Sequence, residues 1–384
     1  MSALARAVAT AAAVSTLATV ARAESAAPVY LDQGWDVQGR QLFYNEPQGS
    51  PIIPLSWFLA LEQPGEVDRL FQDNAYLARF GLIPEAPHDS NPHGLPVGLT
   101  SDRGLIGDEA MLGMNCSACH VGVLESNGVS VQIDGAPANF DFIRFMLALD
   151  RALTETLLDD ARLDRFATRL NASKERLARR LEYVIGERAE WATANMPPIE
   201  PGPGRVDALG VILNQVVAEF PERPDNARVP DAPVSWPFLW GAPYLAYAQY
   251  NAVVPNNAAG AMTRNIGQVL GVFGEVSLLT ATLPPGYPSS VRLDKLGALE
   301  EELRTLTPPK WADLAALGAV EPVDLVLAKQ GAEVYQKTCV KCHAIMNGDD
   351  PGEIGATPVE IVDIARIGTD PKASENFVDF TADA

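Results

Sequence analysis

Residues 113–121 have the sequence GMNCSACHV, and residues 339–343 have the sequence CVKCH. Both segments contain the pattern Cys-x-x-Cys-His, formed by Cys116, Cys119 and His120 in the first copy and by Cys339, Cys342 and His343 in the second. The spacing places two thiols on one face of a short helical turn, next to an imidazole. Two thiols add to the vinyl groups of haem at such a pattern, and the histidine becomes the proximal iron ligand. The sequence therefore predicts two covalently attached haem c groups.

The chain contains four cysteines, and all of them lie in these two motifs. A Cys-x-x-Cys pair alone could also be a thioredoxin-like redox pair or half of a zinc site. The histidine after each pair, the repetition of the motif and the secretion signal described below argue against both alternatives. A zinc ion shared by the two motifs would require segments more than 200 residues apart to meet. A disulfide within either pair is expected only before haem is attached.

The N-terminus has the features of a secretory signal peptide over residues 1–23. Arg6 precedes an apolar run from Ala7 to Val20, and residues 21–23 form a small-x-small cleavage site. An uncleaved membrane anchor is the alternative, but the apolar run is short for a bilayer span. No later stretch is long and apolar enough to span a membrane. We therefore expect a periplasmic protein with no stable membrane span after signal removal.

The formal net charge of −20 bears on the choice of partner. Removal of the signal takes away Arg6 and Arg22 and no acidic residue, which makes the mature chain more acidic still. Nucleic acid is excluded as an expected partner, because phosphate binding needs clustered lysine and arginine. An acidic surface favours a basic redox partner by electrostatic steering, although the charge could also serve solubility alone.

The sequence predicts mostly helical structure between and before the motifs. Apolar residues recur at helical spacing from about Asn139 to Trp191, with Asn171 and Ser173 as turn or cap residues between two helices. An amphipathic charged helix is predicted over 291–306, and another helix is predicted to end just before Cys339. We predict an N-terminal haem domain over 24–307, with helical and loop insertions, and a C-terminal cytochrome c domain over 308–384.

The ligands on the other side of each iron decide whether it shuttles electrons or binds an oxidant. His88 and His93 are the remaining histidines and could ligate an iron, although solvent-exposed loop histidines are the alternative. Met346 follows the second motif too closely to reach the opposite haem face. The chain ends 41 residues after His343, so we expect the C-terminal domain to be an incomplete version of a longer one.

Several segments resemble the dihaem cytochromes related to rubber oxygenase and, more distantly, the bacterial dihaem cytochrome c peroxidases. The resemblance extends from about residue 40 to 370. Besides the first haem motif, it rests on FYNEPQGS (43–50), PLSWFLALE (54–62), PVGLTSD (96–102), IDGAP (133–137), SWPFLWG (235–241) and RNIGQVLGVFG (264–274).

This resemblance implies a mainly α fold with extensive irregular loops, little sheet and two cytochrome c-like haem domains. It implies that the haem on His120 is the reactive one, and that the haem on His343 transfers electrons with a second ligand from farther along the chain. This sequence ends before such a histidine could appear. Rubber cleavage itself does not carry over, because kinship of fold does not fix chemistry.

Two further residue types have alternative interpretations. Trp236 or Trp240 could relay charge between the haems, or could simply pack in the core. Arg264 could pair with a haem propionate, or could be a surface arginine.

Three functions remain open at this level. The first is a peroxidase- or oxygenase-type oxidoreductase that uses peroxide or dioxygen at the His120 haem and exchanges electrons with a periplasmic donor or acceptor protein. The second is a non-catalytic electron-transfer cytochrome, and the third is a truncated relative that only binds haem. No catalytic residue beyond the iron and its proximal ligand can be named from the sequence.

Overall fold

The computed structural model describes residues 28–249, 251–278, 287–345 and 352–383. The predicted signal peptide and Met346 lie outside these ranges. Of the described residues, 44% are helical and 13% lie in strands. The α-helices are α1 (Val37–Asn45), α2 (Leu55–Ala60), α3 (Asn74–Leu77), α4 (Phe142–Leu158), α5 (Asp160–Leu170), α6 (Lys174–Asn195), α7 (Ala208–Asn214), α8 (Ala258–Gly271), α9 (Leu293–Leu303), α10 (Trp311–Ala316), α11 (Leu325–Thr338), α12 (Ile364–Ile367) and α13 (Lys372–Asp379).

The strands are short and form four small sheets within the described residues. They are β1 (Val29–Tyr30), β2 (Pro51–Pro54), β3 (Leu99–Arg103), β4 (Ala110–Met114), β5 (Val121–Ser126), β6 (Val129–Asp134), β7 (Arg205–Val206), β8 (Val234–Ser235), β9 (Tyr247–Ala248) and β10 (Val254–Pro255). One sheet has the antiparallel order β2-β4-β3, and another has the order β1-β6-β5, with β1 parallel to β6. The pairs β7-β8 and β9-β10 are two-stranded and antiparallel.

Helices α4, α5 and α6 form the helical layer predicted between the motifs. The apolar side of α4 that carries Phe145, Met146 and Leu149 is buried in the largest apolar core, together with Leu181 of α6. Burying such a stripe is the main source of stability for an amphipathic helix.

The predicted turn between two of these helices is confirmed. Asn171 ends α5 in the left-handed conformation, with φ of 47°, and the Ser173 side chain caps α6 by accepting from the backbone N–H of Arg176. Asn is one of the few non-glycine residues that tolerate this conformation at a helix end. The sequence did not predict the earlier break at Asp159, whose carboxylate caps α5.

A second apolar cluster lies beside the first haem motif. Buried Trp35, Phe43 and Tyr44 pack there with Leu296 and Leu299 of α9. The predicted helix over 291–306 is thus confirmed as α9, and its apolar side covers α1.

Residues after the second motif contact the rest of the chain at several places, one of which joins Lys372 and Asn376 of α13 to Asp231. Residues 355–357 pair with the backbone of residues 243–246, and the Asn226 side chain exchanges two hydrogen bonds with the backbone of Asp383. Helix α11 ends at Thr338, immediately before Cys339, as predicted.

The mainly helical composition with small sheets confirms the coarse fold class. The two cytochrome c-like domains and their boundary stay predictions. Among the described residues, no helix has the length and apolar content needed to cross a bilayer.

Candidate haem-attachment sites

The first motif forms a tight turn between two sheets. Strand β4 ends at Met114 in one sheet, a single 3₁₀ turn covers Cys116–Ala118, and β5 begins at Val121 in the other. Within the turn, the N–H groups of Cys119 and His120 both donate to the carbonyl of Cys116, at 3.2 and 3.1 Å. The two sheets therefore fix both ends of the motif.

Asn115 anchors this turn to the end of α1. Its side-chain oxygen accepts from the N–H and hydroxyl of Ser117, at 3.0 and 2.7 Å. Its amide nitrogen lies 3.1, 3.3 and 3.0 Å from the carbonyl oxygens of Phe43, Tyr44 and Glu46. The side chain is buried and shielded from water, so these hydrogen bonds satisfy polar atoms that would otherwise have no partner.

Gly98 supplies the close contact on the other side of the turn. It has φ of +85°, and a Cβ at this position would lie 2.1 Å from the backbone nitrogen of Ala118. Its carbonyl accepts from the N–H of Asn115 at 2.9 Å. Only glycine fits here, because both the conformation and the close approach exclude a side chain.

The imidazole of His120 is held in one tautomer. Its Nδ1 lies 2.9 Å from the carbonyl oxygen of Pro237. A carbonyl can only accept, so Nδ1 must carry the proton and Nε2 keeps a free lone pair. Burial lowers the pKa of His120 to about 4, which keeps the ring neutral at physiological pH. A neutral imidazole with a free Nε2, oriented by a carbonyl, is the form that binds a metal.

The two thiols of the first motif are protonated and unpaired. Burial raises the pKa of Cys116 to about 11 and raises that of Cys119 well above its ordinary value. The Cys116 thiol donates to Oε1 of Gln48 at 3.3 Å, and no disulfide joins the two cysteines. A redox-active pair of this spacing instead has a lowered thiol pKa, so the environment disfavours the thioredoxin-like alternative.

The three side chains are only partly exposed. Protein atoms surround Cys116, Cys119 and His120 on most sides, yet each retains some solvent contact. Cys116 packs against the second apolar cluster, as do the partly buried side chains of Trp240 and Met262.

A buried ion pair lies near the Cys116 thiol. Arg264 of α8 donates to Oε2 of Glu300 at 2.7 Å and to the side-chain oxygen of Asn256 at 2.8 Å. The positive charge of Arg264 opposes the rise in the Cys116 pKa, and the negative charge of Glu300 adds to it. Arg264 is therefore a mostly buried residue with partners, and the surface-arginine interpretation is wrong.

The second motif repeats the turn of the first. The N–H groups of Cys342 and His343 both donate to the carbonyl of Cys339, at 3.1 and 2.9 Å. Here a helix, α11, leads into the turn instead of a strand. The same pair of bonds in two unrelated settings shows that the pentapeptide itself adopts this turn.

One segment contacts the first motif and also residues 355–357, which follow the second motif in sequence. The carbonyl of Pro237 holds His120, and a few residues later the backbone of residues 243–246 pairs with that of 355–357, beyond the second motif. Trp240 lies between these two points and stacks on Phe238, with ring centroids 4.9 Å apart. Trp236 is buried in the main core instead, against Phe140.

The two candidate distal histidines differ in their surroundings. His93 is exposed. The ring of His88 lies 3.3 Å from the carboxylate of Glu85 and 3.5 Å from the side-chain nitrogen of Asn45. Within the described residues, no three His, Cys, Asp or Glu side chains are arranged to hold a bare metal ion. Covalent haem attachment needs only one protein ligand to the iron and two thiols that bond to carbon.

Comparison with known proteins adds one relative. No protein-family model matches the chain. It is 30% identical, over an alignment 402 positions long, to an uncharacterized protein, y4iJ, of Sinorhizobium fredii. The alignment covers 91% of this chain, and the chain spans 65% of the length of that relative.

Proposed function

We propose that this protein is a periplasmic dihaem c-type cytochrome in which the His120 centre is the reactive site of an oxidoreductase that acts on peroxide or dioxygen. The observation that carries the proposal is the state of His120. Its ring is neutral, its Nδ1 is fixed by the Pro237 carbonyl, and its Nε2 is free. These three features meet the requirements of a proximal iron ligand.

The cysteines complete the donor set of each centre. Cys116 and Cys119 are separated by one turn and present protonated thiols beside this imidazole, and Cys339 and Cys342 share the same turn. A haem bound at either motif would supply an iron that changes oxidation state and can bind a small oxidant. Cys116 and Cys119 would hold such a haem through their thiols, and the Pro237 carbonyl orients the imidazole that would bind its iron.

A reactive first centre is favoured over a pure electron carrier by the two loop histidines. His93 faces solvent, and Nε2 of His88 lies near Glu85 and Asn45, so we propose that neither serves as a second ligand. Close to the motif, Glu300 and Arg264 form a buried ion pair whose guanidinium could bind a haem propionate.

We propose Trp240 as the electron relay of the His120 centre, because Trp240 packs against the same apolar cluster as Cys116, whereas Trp236 lies in the main core. The external partner is proposed to be a basic redox protein, because the chain carries a net charge of −20.

The test is the spectrum of protein matured with a c-type haem assembly system. We expect at least one high-spin ferric haem, which binds carbon monoxide when reduced and shifts on addition of peroxide. His88→Ala and His93→Ala should leave this response unchanged. Two low-spin haems that ignore peroxide would contradict the enzyme proposal and leave an electron carrier. A change from low spin to high spin in the His88 variant would identify His88 as an iron ligand.

A further inference from the structure

Tyr335 forms hydrogen bonds with both ends of the second motif. Its carbonyl accepts from the N–H groups of Cys339 and Val340, at 2.8 and 3.0 Å. Its phenolic hydroxyl donates to the carbonyl of His343 at 2.5 Å. One residue therefore fixes the start of the pentapeptide through its backbone and the end through its side chain.

Tyr335 differs from the rest of α11 in its burial. Tyr335 is the one residue of α11 that is partly buried, and every other residue from Leu325 to Thr338 is exposed. The ring does not pack into a core, so its hydroxyl contact with His343 is the main specific interaction of the side chain.

The two motifs differ in how their histidine is held. At the first motif, the Pro237 carbonyl orients the imidazole of His120 directly. Within the described part of the chain, the ring of His343 has no hydrogen-bond partner, and the bond to Tyr335 holds its backbone instead. The second motif is also not enclosed by two sheets. Its histidine depends on local contacts that the first motif does not need.

We propose that Tyr335 is a positioning residue for His343, which sets the orientation in which that imidazole binds iron at the second haem. This inference rests on the proposed haem attachment. The hydroxyl fixes the carbonyl of His343 and so limits rotation of the backbone that carries the ring. Without it, the ring must be ordered when the iron bond forms, and the bond is weakened accordingly.

The experiment compares Tyr335→Phe with the wild type in the full matured chain. Tyr183→Phe is the matched control, because Tyr183 is exposed on α6 and distant in sequence from both motifs. Lowering the pH protonates a proximal histidine and breaks its iron bond, which the absorption spectrum reports. A Cys339→Ala/Cys342→Ala variant, which lacks the second haem, assigns the two acid transitions.

We expect Tyr335→Phe to raise the acid midpoint of the second haem by roughly 0.5–1 pH unit, the size that follows from losing one hydrogen bond. The transition of the first haem and the thermal unfolding midpoint should not move. Loss of the second haem from this variant alone, with unfolding unchanged, would also support the role. An unmoved midpoint, or an equal shift in Tyr183→Phe, would overturn it. Absence of the second haem from the wild type would instead contradict the proposed function.

Discussion

Replacing His120 by glycine is expected to lower peroxide-dependent oxidation of an artificial electron donor by more than roughly 100-fold per attached haem. Loss of a group that merely supports a metal ligand costs 10- to 100-fold, and this change removes the ligand itself. Free imidazole should partly restore the activity, because glycine leaves the space of the ring beside the Pro237 carbonyl.

His93→Gly is the matched control for this change, since it removes an exposed loop histidine. It should retain wild-type activity and show no response to imidazole. Intact mass gives the haem content by which each rate is divided. Full activity in His120→Gly would show that the first haem is not the reactive centre. Loss of activity without rescue by imidazole, in protein that keeps both haems, would count against the oriented imidazole as its cause.

Replacing Asn115 by alanine is expected to destabilise the protein by about 3 kcal/mol, since several buried hydrogen bonds are lost and the carbonyls of Phe43 and Glu46 each lose a donor. The turn that carries Cys116 should lose its fixed position at the same time. We therefore expect urea unfolding to shift to lower concentration and the fraction of chains with haem at the first motif to fall severalfold.

Asn139→Ala provides the comparison, because Asn139 is exposed and a typical surface change costs within about 0.5 kcal/mol. Haem at the second motif should be unaffected in both variants, which separates a local defect from a failure of maturation. A shift in Asn115→Ala no larger than that of the control would contradict the anchoring role.

Local features of the fold were predictable from the sequence. The helical spacing of Phe145, Met146 and Leu149 indicated α4, and Asn171 and Ser173 indicated the turn between α5 and α6. These signals depend on neighbours within one or two turns, so periodicity and capping preferences are enough to find them.

The contacts that complete the first site were not predictable in this way. His120 and its partner Pro237 are 117 residues apart, and Asn115 reaches carbonyls about 70 residues earlier in the chain. Local sequence patterns do not predict contacts between residues that are so far apart in the chain. The position of Asn115 did offer a weak signal, because asparagine is favoured before a helical turn.

Three of the segments that carried the family resemblance contact the first motif. Gln48, Gly98 and Pro237 come from three of them, and each contacts the motif directly. Their sequences are therefore explained by the surroundings of one site. No comparable set of buried partners surrounds the second motif in the described residues, where Tyr335 provides the main contact.

Intact mass of the denatured, matured protein reports whether both pentapeptides attach haem covalently. We expect a mass increase equal to two haems for the wild type, and to one haem for each of Cys116→Ala/Cys119→Ala and Cys339→Ala/Cys342→Ala. A wild-type chain that carries no covalent haem, with its four cysteines free or joined in disulfides, would contradict this prediction.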